Sequence, residues 1–302
     1  MEPIYIKVDE EFEEERIDKV VSASIDSFSR SYLQKLIENN DILVNGHSVK
    51  SSYKTKVDDI ISISLPESKV PDIVPENIPL DILYEDSDVI VVNKPKNMVV
   101  HPAAGHYSGT LVNALMYHCG DSLSGINGVM RPGIVHRIDK DTTGSIIACK
   151  NDNSHQKIAE QLKNHSMTRR YQCIVHGVIN DDEGTIRTLI GRDPKDRLRM
   201  AVVSSNGKEA VTHYRVIKRF SQHTLVECIL ETGRTHQIRV HMAHINHPLL
   251  GDEVYSNRKE QFKLEGQCLH AKVLGFIQPS TGEYIETDAP LPEYFVHLLD
   301  IL

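Results

Sequence analysis

The sequence has no long apolar run. No stretch approaches the ~20 apolar residues that a membrane-spanning helix needs. Its N-terminus, MEPIYIKVDEEFEEE, lacks a basic start followed by an apolar segment, which excludes a secretory signal. Cysteine is sparse. Cys119, Cys149, Cys173, Cys228 and Cys268 are scattered, odd in number and without a C-x-x-C pair. They read as reduced thiols of a cytoplasmic protein, not as a disulfide frame or a zinc site. Neither a P-loop nor a G-x-G-x-x-G is present, so a nucleotide cofactor has no support. Net positive charge is missing too: 34 Lys and Arg face 42 Asp and Glu, a formal charge of -8. Taken alone, that balance disfavours a nucleic-acid binder.

What is there is the composition of a folded protein, with 302 residues, 40% hydrophobic and 25% charged. At roughly 150 residues per domain the length suggests two domains. The charge is unevenly placed. Residues 1–18 hold eight acids and two bases, so most of the negative excess is N-terminal. The segment 187–219 holds nine bases, among them Arg192, Arg197 and Arg199, against three acids. Such a stretch reads equally as a solvated hairpin or as a phosphate-contacting lobe.

Pro66, Pro71, Pro75 and Pro79 mark an extended segment, since proline removes a backbone donor and disfavours helix before it. Residues 66–79 are therefore expected to link a small domain, residues 14–65, to a larger one, residues 80–302. Residues 1–13 form an acidic leader outside both. In the small domain a first helix is expected around Ile17, Val20 and Val21. A second, capped by Ser29, carries Leu33, Leu36 and Ile37 at helical spacing. Asn45-Gly46 sets a hairpin, and Ile60–Ile63 a closing strand. In the larger domain strands are expected at Val89–Val92, Ile134–Val135, Ser145–Ala148, Tyr171–Val175 and Thr224–Glu231. Helices are expected at 154–165 and at Thr235–Ile245. This pattern is α+β with a largely antiparallel sheet.

The run SRSYLQKLIENNDILVNGHSVKSSYKTKVDDIISI resembles the S4 RNA-binding domain in its Ser-Arg-Ser helix start, leucine-rich helix and Val-Asn-Gly turn. The resemblance implies that Arg30, Lys35, Lys50 and Lys54 contact RNA phosphates. The acidic leader dilutes the basic character usual for such a module.

The segment RPGIVHRIDKDTTGSIIACK places Asp139 in a polar turn at a strand exit, between Arg137 and Lys140. A neighbouring cation favours the ionised carboxylate that a nucleophile or base requires. An aspartate in a turn is ordinarily only a turn-former or cap. The same segment resembles the defining motif of the RluA-type pseudouridine synthases. Four further segments match that family in order: Asn93-Lys94-Pro95 with Val99-Val100-His101-Pro102, Arg170 to Gly177, Gly233 to Met242, and His247 to Tyr255. Ile138, Thr143, Cys149 and Arg170 depart from the usual Leu, Ser, Ala and Lys without changing a catalytic functional group.

The resemblance implies isomerisation of uridine to pseudouridine in structured RNA, with large-subunit ribosomal RNA suggested by the S4-bearing branch. It implies Asp139 as the essential carboxylate, Tyr171 against the uracil ring and Arg239 paired with Asp139. Arg137 would fill the gap left by the extruded nucleotide. His136 and Arg234 stand with it among the RNA-facing residues. His136 has no proton transfer to perform in this chemistry, and its own reading is structural. The histidines at 236, 241, 244 and 247 lack zinc-ligand spacing. No metal or cofactor is expected, and the chain is expected to act as a monomer.

Overall fold

The computed structural model describes residues 3–302 except 25–29, 65–72, 103–105, 121, 129–130, 197–198 and 259–261, and leaves out the side chains of 30–32 and 35. The chain divides into two compact units, Met1–Val70 and Pro71–Leu302.

The small unit runs β1 (Ile4–Lys7), a 3-10 turn (Glu10–Phe12), α1 (Ile17–Ser24), α2 (Arg30–Glu38), β2 (Ile42–Val44), β3 (His47–Ser48) and β4 (Ile60–Ile63). Its strands are antiparallel in the order β1-β4-β2-β3. Ile17, Val20 and Val21 of α1 and Leu33, Leu36 and Ile37 of α2 bury against alternate residues of the sheet, Ile42, Val44, Ile61 and Ile63. The turn has positive φ at both Asn45 (49°) and Gly46 (78°), the geometry that makes Asn-Gly the favoured hairpin pair. Asn45 is locked from both sides. Its Nδ2 donates to Asp59 Oδ1 at 2.8 Å, and its Oδ1 accepts the Ile60 N–H at 2.9 Å. The anticipated Ser29 cap lies outside the described residues.

The acidic leader departs from expectation. Residues 4–7 form β1 on the β4 edge, and Val8 is buried in the same core with Phe12 packed against it. An edge strand is a standing offer of unpaired backbone groups. The few apolar residues among the acids, Ile6, Val8 and Phe12, suffice to dock the leader there.

The larger unit contains β5 (Ile82–Glu85), β6 (Val89–Lys94), α3 (Leu111–Cys119), β7 (Thr143–Cys149), α4 (Asp152–Lys163), β8 (Thr168–His176), β9 (Glu183–Arg192), β10 (Met200–Val202), β11 (Lys208–Arg219), β12 (His223–Leu230), α5 (Gln237–His244), β13 (Leu269–Ile277), β14 (Tyr284–Asp288) and α6 (Glu293–Ile301). One sheet collects all ten strands in the order β10-β9-β11-β12-β8-β13-β7-β6-β5, with β14 also pairing β13. Among the described residues β13 and β7 are its one parallel pair. The fold is thus α+β, a largely antiparallel mixed sheet preceded in sequence by a small helix-helix-hairpin module.

Strand alternation sorts the side chains onto two faces. Ile90, Val92, Ile146, Ala148, Tyr171, Cys173 and Val175 face one core with α3 and α5. Val89, Val91, Ile147 and Cys149 face a second core, with Ile158 of α4. Residues 73–79, expected to be part of a linker, belong to this unit. Ile73 is buried, Ile78 packs on the core, and Asn113 Nδ2 donates to the Val74 carbonyl at 2.8 Å. Pro75 and Pro79 therefore mark an extended segment bound to α3; Pro66 and Pro71 lie outside the described residues.

Ile134-Val135 is not a strand. Ile134 makes one isolated bridge to Ala148, and its carbonyl accepts from Asn127 Nδ2 at 2.7 Å, so the ladder ends at once. Helix α4 begins two residues early because Asn151 accepts the Ser154 N–H at 2.8 Å. Helix α5 begins two residues late because His236 adopts a left-handed conformation, φ 56°.

Candidate active site

Asp139 sits on the loop that leads into β7. Its carbonyl accepts the Thr142 N–H at 3.1 Å, closing a turn. Gly144 follows with φ +106°, and a Cβ there would lie 2.3 Å from the Ala271 carbonyl oxygen. Only glycine lets β7 run this close to β13, which places the preceding loop at the edge of the sheet's cavity. From below, buried Lys94 holds the loop. Its Nζ donates to the carbonyls of Pro95, Met98 and Lys140 at 2.8, 2.9 and 2.9 Å. Burial pulls this lysine down to about 7, against the charges of Asp141 and Asp139. Three carbonyls, which only accept, oppose that pull and suit the ammonium form.

Arg239 reaches Asp139 from α5. Its Nη1 donates to Asp139 Oδ2 at 3.0 Å. Its Nε and Nη2 donate to Asp252 Oδ2 and Oδ1 at 2.7 and 2.9 Å, a bidentate fork. Asp252 is 2% exposed and also accepts the N–H groups of Val254 and Tyr255. Burial alone would lower the Arg239 pKa. The hydrogen bonds and charge of Asp252, joined by Asp139, outweigh it and raise it further. One guanidinium thus serves two carboxylates.

Asp139 Oδ1 has no hydrogen bond among the described residues. His236 Nε2 lies 3.8 Å from it. His236 Nδ1 lies 2.8 Å from the Tyr255 hydroxyl, whose oxygen accepts the Met200 N–H at 3.0 Å. With that hydroxyl donating to Nδ1, the ring proton sits on Nε2 and faces Asp139. Burial pushes the His236 pKa down, against the pull of Asp139.

Tyr171 and Arg169, two residues apart on β8, both line the cavity with Asp139. Tyr171 is 8% exposed; burial raises its phenol pKa, Arg169 lowers it and Asp139 raises it. Arg169 is anchored by donating to the Glu231 carbonyl at 2.7 Å. The cavity is about 470 Å³ and is also lined by His136, Arg137, Arg234 and His236. That is ample for a flat heterocycle and its sugar. Asp139, Tyr171 and Arg239, separated by up to 100 positions, therefore meet in one cleft.

The other sequence-derived residues scatter. Arg137 is exposed at the cavity wall. His136 is a framework residue whose Nε2 accepts the Ile147 N–H at 3.1 Å; burial takes its pKa down to about 3. Arg234 lines the cavity and donates to the Glu209 carbonyl. The basic segment 187–219 is three strands, β9 to β11, and much of its charge is paired. Arg187 meets Glu209, Arg215 meets Glu227 and Arg219 meets Asp182. Arg192 is exposed, Arg199 stacks on the Tyr255 ring at 5.3 Å, and Arg197 lies outside the described residues. In the small unit Lys50 is exposed and Lys54 pairs with Glu14 at 3.1 Å. Arg30 and Lys35 fall on α2, their side chains outside the description.

Residues 88–244 match the family model for RNA pseudouridylate synthase, more than half of the chain, and residues 15–61 match the S4 domain. The chain belongs to the RNA pseudouridine synthases. It is an isomerase acting on RNA, with an S4 domain at its N-terminus. It is 53% identical over 302 residues to RNA pseudouridine synthase YlyB of Bacillus subtilis (strain 168), covering 100% of this chain and 99% of that one. It is 45% identical to ribosomal large subunit pseudouridine synthase D of Zymomonas mobilis, over 92% of this chain and 90% of that one. Among solved structures, human RNA pseudouridylate synthase domain containing 1 superposes with a TM-score of 0.59 at 25% identity, covering 72% of this chain and 85% of that one.

Asp252, His236, Tyr255 and Lys94 were not assigned roles from sequence, although each lies inside a family-like segment. No local sequence signal marked Asp252. Its partner is 13 residues away, beyond helical spacing. No helix of the described residues is long and apolar enough to cross a membrane.

Proposed function

We propose that this synthase isomerises specific uridines of large-subunit ribosomal RNA, acting as a monomer in the cytoplasm, with Asp139 as its catalytic carboxylate. The observation that carries the reading is the Asp139 carboxylate on the cavity wall, with Oδ2 held by Arg239 and Oδ1 left open. An anchored oxygen fixes the rotamer, and the other is available to react. The target choice is supported by the relatives named ribosomal large subunit pseudouridine synthase D at 43–45% identity.

In the reaction the uridine C1'–N1 bond breaks, the uracil turns, and a C1'–C5 bond forms. Asp139 Oδ1 would either attack C1' or take a sugar proton to give a glycal; both routes use the same open oxygen. The uracil would lie against Tyr171. After rejoining, the C5 proton must leave. Tyr171 would take it as a phenolate, which burial opposes and the Arg169 charge favours. Arg239 would hold Asp139 oriented throughout.

Tritium release from C5-labelled large-subunit RNA tests this. Wild type is expected to release tritium and Asp139→Asn to release none. Release by the variant would overturn the role of Asp139. Release from other cellular RNA but not from large-subunit RNA would overturn the target.

A further inference from the structure

A second cavity, about 330 Å³, lies beside the first and shares Val135, His136 and Arg137 with it as a common wall. Its other lining includes His101, Asn127 and Arg131. Nothing in the reaction just described uses it. His101 is 5% exposed, and its buried Nδ1 has no hydrogen-bond partner among the described residues. Arg131 and Arg137 are exposed, and neither has an acidic partner or a side-chain hydrogen bond among the described residues. Five other arginines of this unit, Arg170, Arg187, Arg215, Arg219 and Arg239, each meet a carboxylate, and Arg169, Arg234 and Arg258 donate to backbone carbonyls.

The geometry points to a binding site for a phosphodiester of the RNA strand beside the target uridine, held by Arg131, Arg137 and His101. The inference rests on the RNA reading of the main cavity. Two guanidiniums that line one cleft and have no acidic partner among the described residues are a complement for an anion. A buried imidazole nitrogen without a partner costs free energy unless a ligand satisfies it. A phosphodiester supplies both the charge and the acceptor oxygens. The adjoining cavity sets where that phosphate belongs. A strand whose uracil lies in the main cavity would pass the shared wall at Arg137, which would bring a neighbouring phosphate to the second cavity.

The site is built on rigid parts. Asn127 Nδ2 donates to the Ile134 carbonyl and lies 3.1 Å from His155 Nε2. Gly133, φ +71°, seats its turn against β7 so closely that a Cβ would lie 2.8 Å from the Cys149 carbonyl oxygen. Residues 99 and 100 accept the first N–H groups of α3, from Leu111 and Val112. Burial, with Arg131 and Arg137 nearby, takes the His101 pKa down to about 4. The ring is neutral when the site is empty, and an incoming anion would draw that value upward.

The test is a nitrogen-resolved spectrum of the histidine rings in the full chain. Two probes are titrated separately: a uridine octanucleotide and inorganic phosphate. The octanucleotide is expected to shift the His101 ring and raise its pKa. Arg131→Gln is expected to abolish that response. It should also weaken octanucleotide binding at least about 5-fold and reduce the salt slope by about one. No response of His101 to the octanucleotide would overturn the site. A response to inorganic phosphate alone would make it a free-anion site and overturn the RNA assignment. An unchanged response in Arg131→Gln would overturn the arrangement. The readout needs no turnover. A His101 response in a protein that forms no pseudouridine in large-subunit RNA would overturn the proposed function and leave this site standing. Turnover without the response would do the reverse.

Discussion

Charge is handled in opposite ways at the surface and in the cleft. Lys54–Glu14 and Arg187–Glu209 are pairs between exposed side chains. Such pairs contribute little, because water already solvates both partners. Around Arg239 the side chains are nearly dry: 7% exposed for the arginine, 0% for Asp252 and 19% for Asp139. There each charge depends on its neighbour, because an uncompensated one would be costly. Surface pairing mutes a charge excess that counting residues makes conspicuous. Buried pairing positions a carboxylate that counting cannot see.

The largest expected effect comes from breaking the cleft at its open end. Asp139→Asn should lower turnover at least about 10³-fold in the tritium assay. Its unfolding midpoint should stay close to wild type, since Asp252 still satisfies Arg239. A midpoint that falls with activity would mean that the pair holds the fold, not the chemistry. Breaking the closed end should do the opposite. Asp252→Ala strips the fork from a buried guanidinium and should cost about 3–5 kcal/mol in urea unfolding. A change below about 1 kcal/mol would show Arg239 to be adequately held by Asp139 alone.

The same contrast explains what could be read from the chain. Regular elements were legible because alternation and helical spacing act locally. The cores behind Ile90, Ile146 and Cys173 fall where the pattern puts them. The Asn45-Gly46 turn was legible because two residues set its backbone. Asp139, Tyr171 and Arg239 were singled out through family-like motifs, not through spacing. Asp252, His236 and Tyr255 stayed unassigned because their roles arise when α5 and the 247–255 segment fold together. The leader was misjudged for a related reason: its docking depends on a free β4 edge formed more than fifty residues later. Ile134-Val135 failed because one side chain, Asn127, captured a carbonyl that propensity would have given to a ladder.

A smaller effect should come from buried groups that carry no charge. His270 is fully buried, with Nδ1 2.8 Å from the Thr143 hydroxyl and Nε2 3.2 Å from the Ala289 carbonyl. Burial takes its pKa down to about 4, and His241 is likewise down to about 4. Below the unfolded value of about 6.5 the unfolded chain takes up a proton that the native ring refuses. Stability should therefore fall as pH drops from about 6.5 to about 4, by about 2 kcal/mol for His270 at pH 5. Carboxylates with lowered values, such as Asp59 and Asp86, add their losses only at lower pH. Urea unfolding at pH 7 and pH 5 isolates the histidines. Equal stability at both would show that these rings are protonated in place.

The smallest effect should be at the surface. Glu14 occupies Lys54, one of the lysines assigned to RNA phosphate in the small unit. Glu14→Gln removes the partner and leaves the lysine. Both side chains are largely exposed, so the urea midpoint should not move measurably. RNA binding should tighten by about 2-fold at low salt, because Lys54 no longer exchanges one anion for another, and the gain should fade as salt rises. Lys54→Gln should weaken binding and erase the gain of Glu14→Gln in the double variant. Additive effects of the two substitutions would instead place Glu14 against the RNA directly, through repulsion, with no part played by Lys54. The cleft and the surface would then differ in one further respect. In the cleft a charge acts through the neighbour that holds it, and at the surface each would act alone.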